Sequence, residues 1–207
     1  ISEDVPERYH HTSRVLWDES IEKWIAYSQY SHHWNFLHRK RQIGRQESTD
    51  FIHWSPKEVV LSADWDPNLP PHLEFHDMSV RKVGGLYIGI TGEFMAEPLW
   101  QVREGHNWRD HAHVRLGLYA SRDGKRWQRV GGPSPWVDNR GPESIDYGYV
   151  CTTANGQMLH GGKIHIPYMA GPAKQHWFGN KYQPPTPILP EADYEARKRE
   201  WQRLEEA

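Results

Sequence analysis

Ser121-Arg122-Asp123-Gly124-Lys125-Arg126-Trp127 and the earlier Ser48-Thr49-Asp50-Phe51-Ile52-His53-Trp54 share one pattern, S-x-D-x-x-x-W. A segment that recurs along a chain is the mark of a repeat architecture. Each copy follows a strand-like run. Before the later copy, Val114, Leu116, Leu118 and Ala120 alternate with Arg115, Gly117 and Tyr119, the period of a strand with one buried face. Asp123-Gly124 is a strong hairpin signal, and the Trp can pack back across the turn. A second repeated piece lies upstream of each copy. Arg14-Val15-Leu16-Trp17, a turn at Asp18-Glu19-Ser20, and Lys23 to Tyr27 read as an inner hairpin. Asp77 to Arg81, the Gly84-Gly85 turn, and Leu86 to Ile90 read the same way. A third opens over Ile145 to Thr153, with a turn at Asn155-Gly156 or Gly161-Gly162 and a return over Lys163 to Ile166. An inner hairpin, an outer hairpin and a long link make one four-stranded antiparallel blade, so the pattern predicts an all-β fold of propeller blades, two complete and a third begun. The competing reading is a β-sandwich with similar turns.

Two and a half blades close no ring, and an open ring leaves strand edges unprotected. The expectation is therefore a partial propeller: a fragment, or part of an assembly in which another chain supplies the missing blades or copies form a homo-oligomer, its open edges covered by a second copy or by the terminal helix folding back. Residues 1–180 hold the blades and 181–190 form a stiff Pro-rich linker, Gln183-Pro184-Pro185-Thr186-Pro187-Ile188-Leu189-Pro190. Residues 191–207 read as a C-terminal α-helix, with Asp193/Arg197 and Glu195/Arg199 at i,i+4 and an apolar edge of Tyr194, Trp201 and Leu204.

Composition narrows the functional classes. The 11 Trp, 10 Tyr and 5 Phe among 207 residues argue against disorder. A net charge of -2 gives no general pull toward nucleic acid, and His38-Arg39-Lys40-Arg41 reads as a solvated loop. No stretch approaches the roughly 20 apolar residues that span a bilayer. No signal peptide is visible, and a chain beginning at Ile1 leaves its compartment open. The one cysteine, Cys151, lies in an apolar run and reads as a buried structural thiol. Among 14 His there is no H-E-x-x-H, and the adjacent pairs His10-His11 and His32-His33 would face opposite sides of a strand. Neither a metal nor another cofactor is expected. His106, His111 and His113 surround Trp108-Arg109-Asp110 in a long loop that reads as solvated.

Acids at inner strands carry the chemical information, because such strands line a propeller's channel. Asp77 opens the inner strand of the second blade, and Glu143 and Asp146 flank that of the third. Carboxylates brought together from neighbouring blades can serve as general acid and as base or nucleophile. Glycoside hydrolysis uses such pairs, about 5–5.5 Å apart for retention and 6.5–9.5 Å for inversion. The alternative is that these acids cap turns and pair with Arg.

The run Arg41 to Ser55, the segment Phe75 to Met78, the Leu118 to Trp127 strand and turn, and Asp146-Tyr147-Gly148-Tyr149-Val150 occur in an order that resembles bacterial relatives of glycoside hydrolase families 32 and 43. The resemblance covers about Arg14 to Gly171. It implies a five-bladed propeller that hydrolyses sugars with acids at the narrow end of its channel. The Asp77 segment is also similar to the Arg-Asp-Pro strand of family 32, whose Asp stabilises the transition state. The resemblance then implies Asp77, Glu143 and Asp146 as catalytic candidates acting on a carbohydrate such as a furanoside. His11, Arg45, Glu47, His76 and Tyr147 are the candidate sugar-binding residues. His11 stands where such relatives often carry Asp, and this departure keeps a non-catalytic carbohydrate-binding or scaffolding propeller as the second reading.

Overall fold

A computed structural model describes residues 14–30, 41–70, 73–95, 113–141, 143–152, 157–171 and 199. Strands β1 (Arg14–Asp18), β2 (Lys23–Tyr30), β3 (Gln42–Ser48) and β4 (Glu58–Leu61) form a four-stranded antiparallel sheet in sequence order. A short 3-10 turn, Ala63–Trp65, leads out of it. Strands β5 (Leu73–Val83), β6 (Leu86–Met95), β7 (His113–Ser121) and β8 (Gln128–Arg129) repeat the same antiparallel order. The two expected four-stranded units are both present. The Gly84-Gly85 turn of the second has φ of 55° and 80°, the left-handed pair that a two-residue hairpin requires.

The repeated S-x-D-x-x-x-W segments fold into the same turn, bond for bond. Ser48 Oγ accepts from the amides of Asp50 (3.3 Å) and Phe51 (2.9 Å); Ser121 Oγ accepts from Asp123 (3.3 Å) and Gly124 (2.9 Å). Asp50 Oδ1 then takes the amides of Ile52 (2.9 Å) and His53 (2.7 Å), and Asp123 Oδ1 those of Lys125 and Arg126 (both 2.8 Å). Ser and Asp stand where their short oxygens reach backbone amides two and three residues on. The residue after each Asp is left-handed, Phe51 at φ 64° and Gly124 at φ 71°. The two Trp side chains diverge. Trp54 packs edge-on against Phe51 of its own turn, whereas Trp127 packs edge-on against Tyr27 of the first sheet.

That difference shows how the two sheets join. Tyr27 Oη donates to Gly124 O at 2.7 Å, so the second outer turn is latched onto the first sheet. A Cβ on Gly124 would meet Tyr27 Oη at 2.5 Å, on top of the left-handed backbone. Gly124→Ala should therefore destabilise the chain by about 1–2 kcal/mol or more, read from the urea midpoint. Between the sheets, Ile25, Tyr27, Ile43, Val60 and Leu61 pack against Leu73, Phe75, Met78, Tyr87 and Tyr119. At the rim, Asp18 takes hydrogen bonds from Ser20, Lys82 and Tyr87. Burial pushes the Asp18 carboxyl up, but these bonds outweigh it and hold the group down at about 2.

The third unit departs from expectation. Strand β9 (Tyr149–Thr152) pairs antiparallel with β12 (Tyr168–Gly171), not with Lys163 to Ile166. The latter region forms β11 (Lys163–His165), which pairs with β10 (Met158–His160) across Gly161-Gly162. The tight two-glycine turn closes a local hairpin first, and β12 is the strand left to return along β9. One parallel bridge, Val114 to Tyr149, ties β9 to β7, so β9 and β12 extend the second sheet to six strands instead of opening a separate blade. Ile90, Leu116 and Val150 form a smaller core at this junction. No ring closes among the described residues. The Pro-rich linker and the terminal helix fall outside them apart from Arg199, as do His11, the paired histidines and the 106–111 loop.

Candidate functional site

The second unit's first strand changes phase within its own length. Leu73 and Phe75 face the core shared with the first sheet, but so do Met78 and Val80, one position out of step. The pairing shows why: Phe75 lies opposite Glu93 and Met78 opposite Thr91, leaving His76 and Asp77 together against Gly92. This is a β-bulge, and bulges re-aim side chains at such places. Asp77 is thereby placed on the opposite side from Phe75 and Met78, and is only 1% exposed.

Asp77 is a meeting point of all three units. Gly92 N, freed by the bulge, donates to Oδ1 at 3.0 Å. Arg14 Nη2, from β1 of the first unit, lies 3.6 Å from Oδ2. Cys151 Sγ, from β9 of the third, donates to the same oxygen at 3.4 Å. Burial raises the Asp77 carboxyl above the usual carboxylate range, with Arg14 and the hydrogen bonds pulling partly back. Burial and the neighbouring carboxylate push the Cys151 thiol up to about 12, so it is a protonated donor, as its apolar surroundings in the sequence suggest.

His76, Asp77 and Cys151 bring ligand atoms within 4.8 Å of one another, which raises the question of a metal ion. The electrostatics answer it poorly for a cation. Arg14 already supplies positive charge to the shared carboxylate, and the thiol would have to lose a proton that burial holds in place. His76 is half-buried and stacks on Phe94, ring centroids 6.5 Å apart.

Asp146 is buried too, but its side-chain partners come from its own loop. Arg140 Nε reaches both of its oxygens at 2.9 and 2.7 Å, and Ser144 Oγ donates at 2.5 Å. The Ser144 bond, against a smaller burial effect, and then Arg140 hold the Asp146 carboxyl below the ordinary value. Glu143 is exposed, and Tyr147 packs edge-on against His113 at 5.2 Å. Arg45 and Glu47 pair with each other at 2.7 Å, and Lys23 Nζ completes the cluster at 2.8 Å. This is an ion-pair role inside the first sheet. Asp77 and Asp146 share no hydrogen-bond partner among the described residues.

Sequence reasoning passed over Arg14, although a charged residue opening an apolar inner strand is a readable signal. It also missed the buried cluster around Glu93, where Arg129 Nη1 and Nη2 reach the two carboxylate oxygens at 2.5 and 2.9 Å and Tyr119 Oη donates at 3.1 Å.

No protein-family model matches the sequence, and no curated protein matches it. Solved structures do. One described as a glycoside hydrolase superposes with a TM-score of 0.52 at 18% identity, over 78% of this chain and 42% of its own. An N-acetylgalactosamine deacetylase from F. plautii, in complex with blood group B trisaccharide, gives 0.49 at 18% identity over 74% of this chain and 40% of its own. A β-1,2-mannobiose phosphorylase from Listeria innocua, in complex with β-1,2-mannobiose, gives 0.49 at 12% identity over 77% of this chain and 36% of its own. The fold is all-β and built from antiparallel sheets, and it is shared over most of this chain with the first of these structures. The chain spans less than half the length of each of these proteins.

Proposed function

We propose that the chain is a glycoside-hydrolase-like protein, in which Asp77 acts as general acid and Asp146 as base or nucleophile on a glycosidic bond. The five-bladed propeller expected from the repeat is the architecture this reading assumes. The observation that carries it is the opposite perturbation of the two carboxyls. Burial favours the neutral form of Asp77, while Ser144 and Arg140 favour the ionised form of Asp146. A pair of acids pushed apart in this way is what acid–base chemistry at neutral pH needs. Glu143, exposed beside Asp146, is the further acid of the reading. Half-buried His76 and Tyr147 are the candidates for contacts to hydroxyls. Arg45 and Glu47, an ion pair whose carboxylate stays partly exposed, are further candidates for such contacts.

The expected signature is a bell-shaped dependence of kcat/KM on pH for release of reducing sugar. Activity falls as pH drops through the lowered value of Asp146, because the base takes up a proton. It falls again as pH rises through the raised value of Asp77, because the acid loses its own. A profile that stays flat across both limits contradicts the assignment.

A non-catalytic carbohydrate-binding protein is the second reading, favoured by one observation. At 1% exposure, Asp77 offers little of its carboxyl to a substrate. Sugar binding without turnover, unaffected by Asp77→Asn, would select it.

A further inference from the structure

A cavity of about 430 Å³ lies between β1 and β5, away from the Asp146 loop. It is lined by four consecutive residues of each strand, 14–17 and 79–82. Successive side chains of a strand point to opposite faces, so consecutive residues can share a wall only along a strand's edge. Both strands are sheet edges, since β1 pairs only with β2 and β5 only with β6. The size is that of a small-ligand pocket.

Its chemistry is one-sided. Arg14, Arg81 and Lys82 line it, and no carboxylate does. Lys82 is matched by Asp18 at 2.7 Å, whereas Arg14 lies 3.6 Å from Asp77, whose neutral form burial favours. Arg81 bonds the backbone carbonyl of Gln157 at 3.0 Å and has no carboxylate partner among the described residues. Among the described residues the wall therefore carries a positive charge with no carboxylate to compensate it. Two lining residues also hold unsatisfied polar atoms. Arg14 Nε, on a residue 5% exposed, and Gln157 Oε1, on a residue 6% exposed, are buried without a hydrogen-bond partner among the described residues. One is a donor and the other an acceptor, and buried groups of this kind ordinarily have a partner. Trp17, 42% exposed, adds a broad apolar surface to the same cavity.

A ligand that satisfies all of these features has an anionic group for the arginines, hydroxyls that both donate and accept, and a ring face for the indole. We propose that the groove between β1 and β5 binds a sugar carrying a carboxylate, a hexuronate unit. The proposal rests on the carbohydrate reading for the sugar; the charge preference comes from the groove itself. Arg14 links the two sites, because the side chain that would meet the uronate also holds Asp77.

Titration calorimetry with methyl glucuronide, methyl glucoside and acetate, at low and raised salt, tests it. The expected result is binding of the glucuronide alone, weakening with salt. Arg81→Gln should lower its affinity about tenfold or more, as the loss of a charge-assisted hydrogen bond implies, and should flatten the salt dependence. Trp17→Ala should lower the affinity and leave the salt dependence unchanged. Equal binding of the glucoside overturns the charge preference and leaves the carbohydrate reading standing. Acetate binding as tight as the glucuronide overturns the sugar component. No binding of any of the three overturns the groove as a site, even if hydrolysis of another glycan is found.

Discussion

Replacing Glu93 with Gln is expected to destabilise the folded chain by about 3–5 kcal/mol, the cost of removing one partner from a buried ion pair. Glu93 is fully buried on β6 and lies among two guanidinium groups. Arg129 grips both carboxylate oxygens and Arg115 Nε lies at 3.4 Å. Tyr119 Oη donates to the same carboxylate, and Arg129 lies over the Tyr119 ring at 5.6 Å. A glutamine keeps the shape but turns an NH2 toward a guanidinium and leaves two positive charges uncompensated. Urea unfolding of the variant should show a much lower midpoint with the slope unchanged. A midpoint close to that of the unaltered chain would mean that the cluster is not the electrostatic centre of the second sheet.

Asp77→Asn should behave in the opposite way, with turnover reduced by about 10²–10⁴-fold and melting nearly unchanged. Burial already favours the neutral carboxyl at this position, so a neutral amide of the same shape meets the same preference. Its oxygen can still accept from Gly92 N. The amide has no acidic proton to give to a departing sugar. Thermal melting and kcat/KM measured together separate the cases. A large drop in melting temperature would make Asp77 chiefly the counter-ion of Arg14. Intact melting with intact turnover would remove it from the chemistry.

What the sequence made legible was the part governed by local chemistry. Ser48, Asp50, Ser121 and Asp123 bond amides within three residues of themselves, so both turns could be read from short segments. The strands of the two four-stranded units followed from alternation and glycine turns. The bulge at His76-Asp77 did not follow, because it depends on how Gly92 is placed across the ladder. The partner of β9 is hidden for a similar reason: β10 and β11 pair locally, and the return strand β12 lies beyond them. Asp77 stands out in the sequence as an acid on an inner strand. Its pairing with Arg14 and Cys151 does not, because they lie 63 and 74 positions away along the chain. Arg45 and Glu47 stand two residues apart on β3, so alternation puts them on one face, where they pair.

The function proposed for this chain is hydrolysis of glycosidic bonds through Asp77. Its most direct test is chromatographic analysis of products after incubating the unaltered chain and Asp77→Asn with a panel of neutral and uronate-containing glycans. A new reducing end is expected from at least one glycan with the unaltered chain, and none from the same glycan with the folded variant. Release of the same products by both proteins, or glycan binding with no product from either, would contradict it.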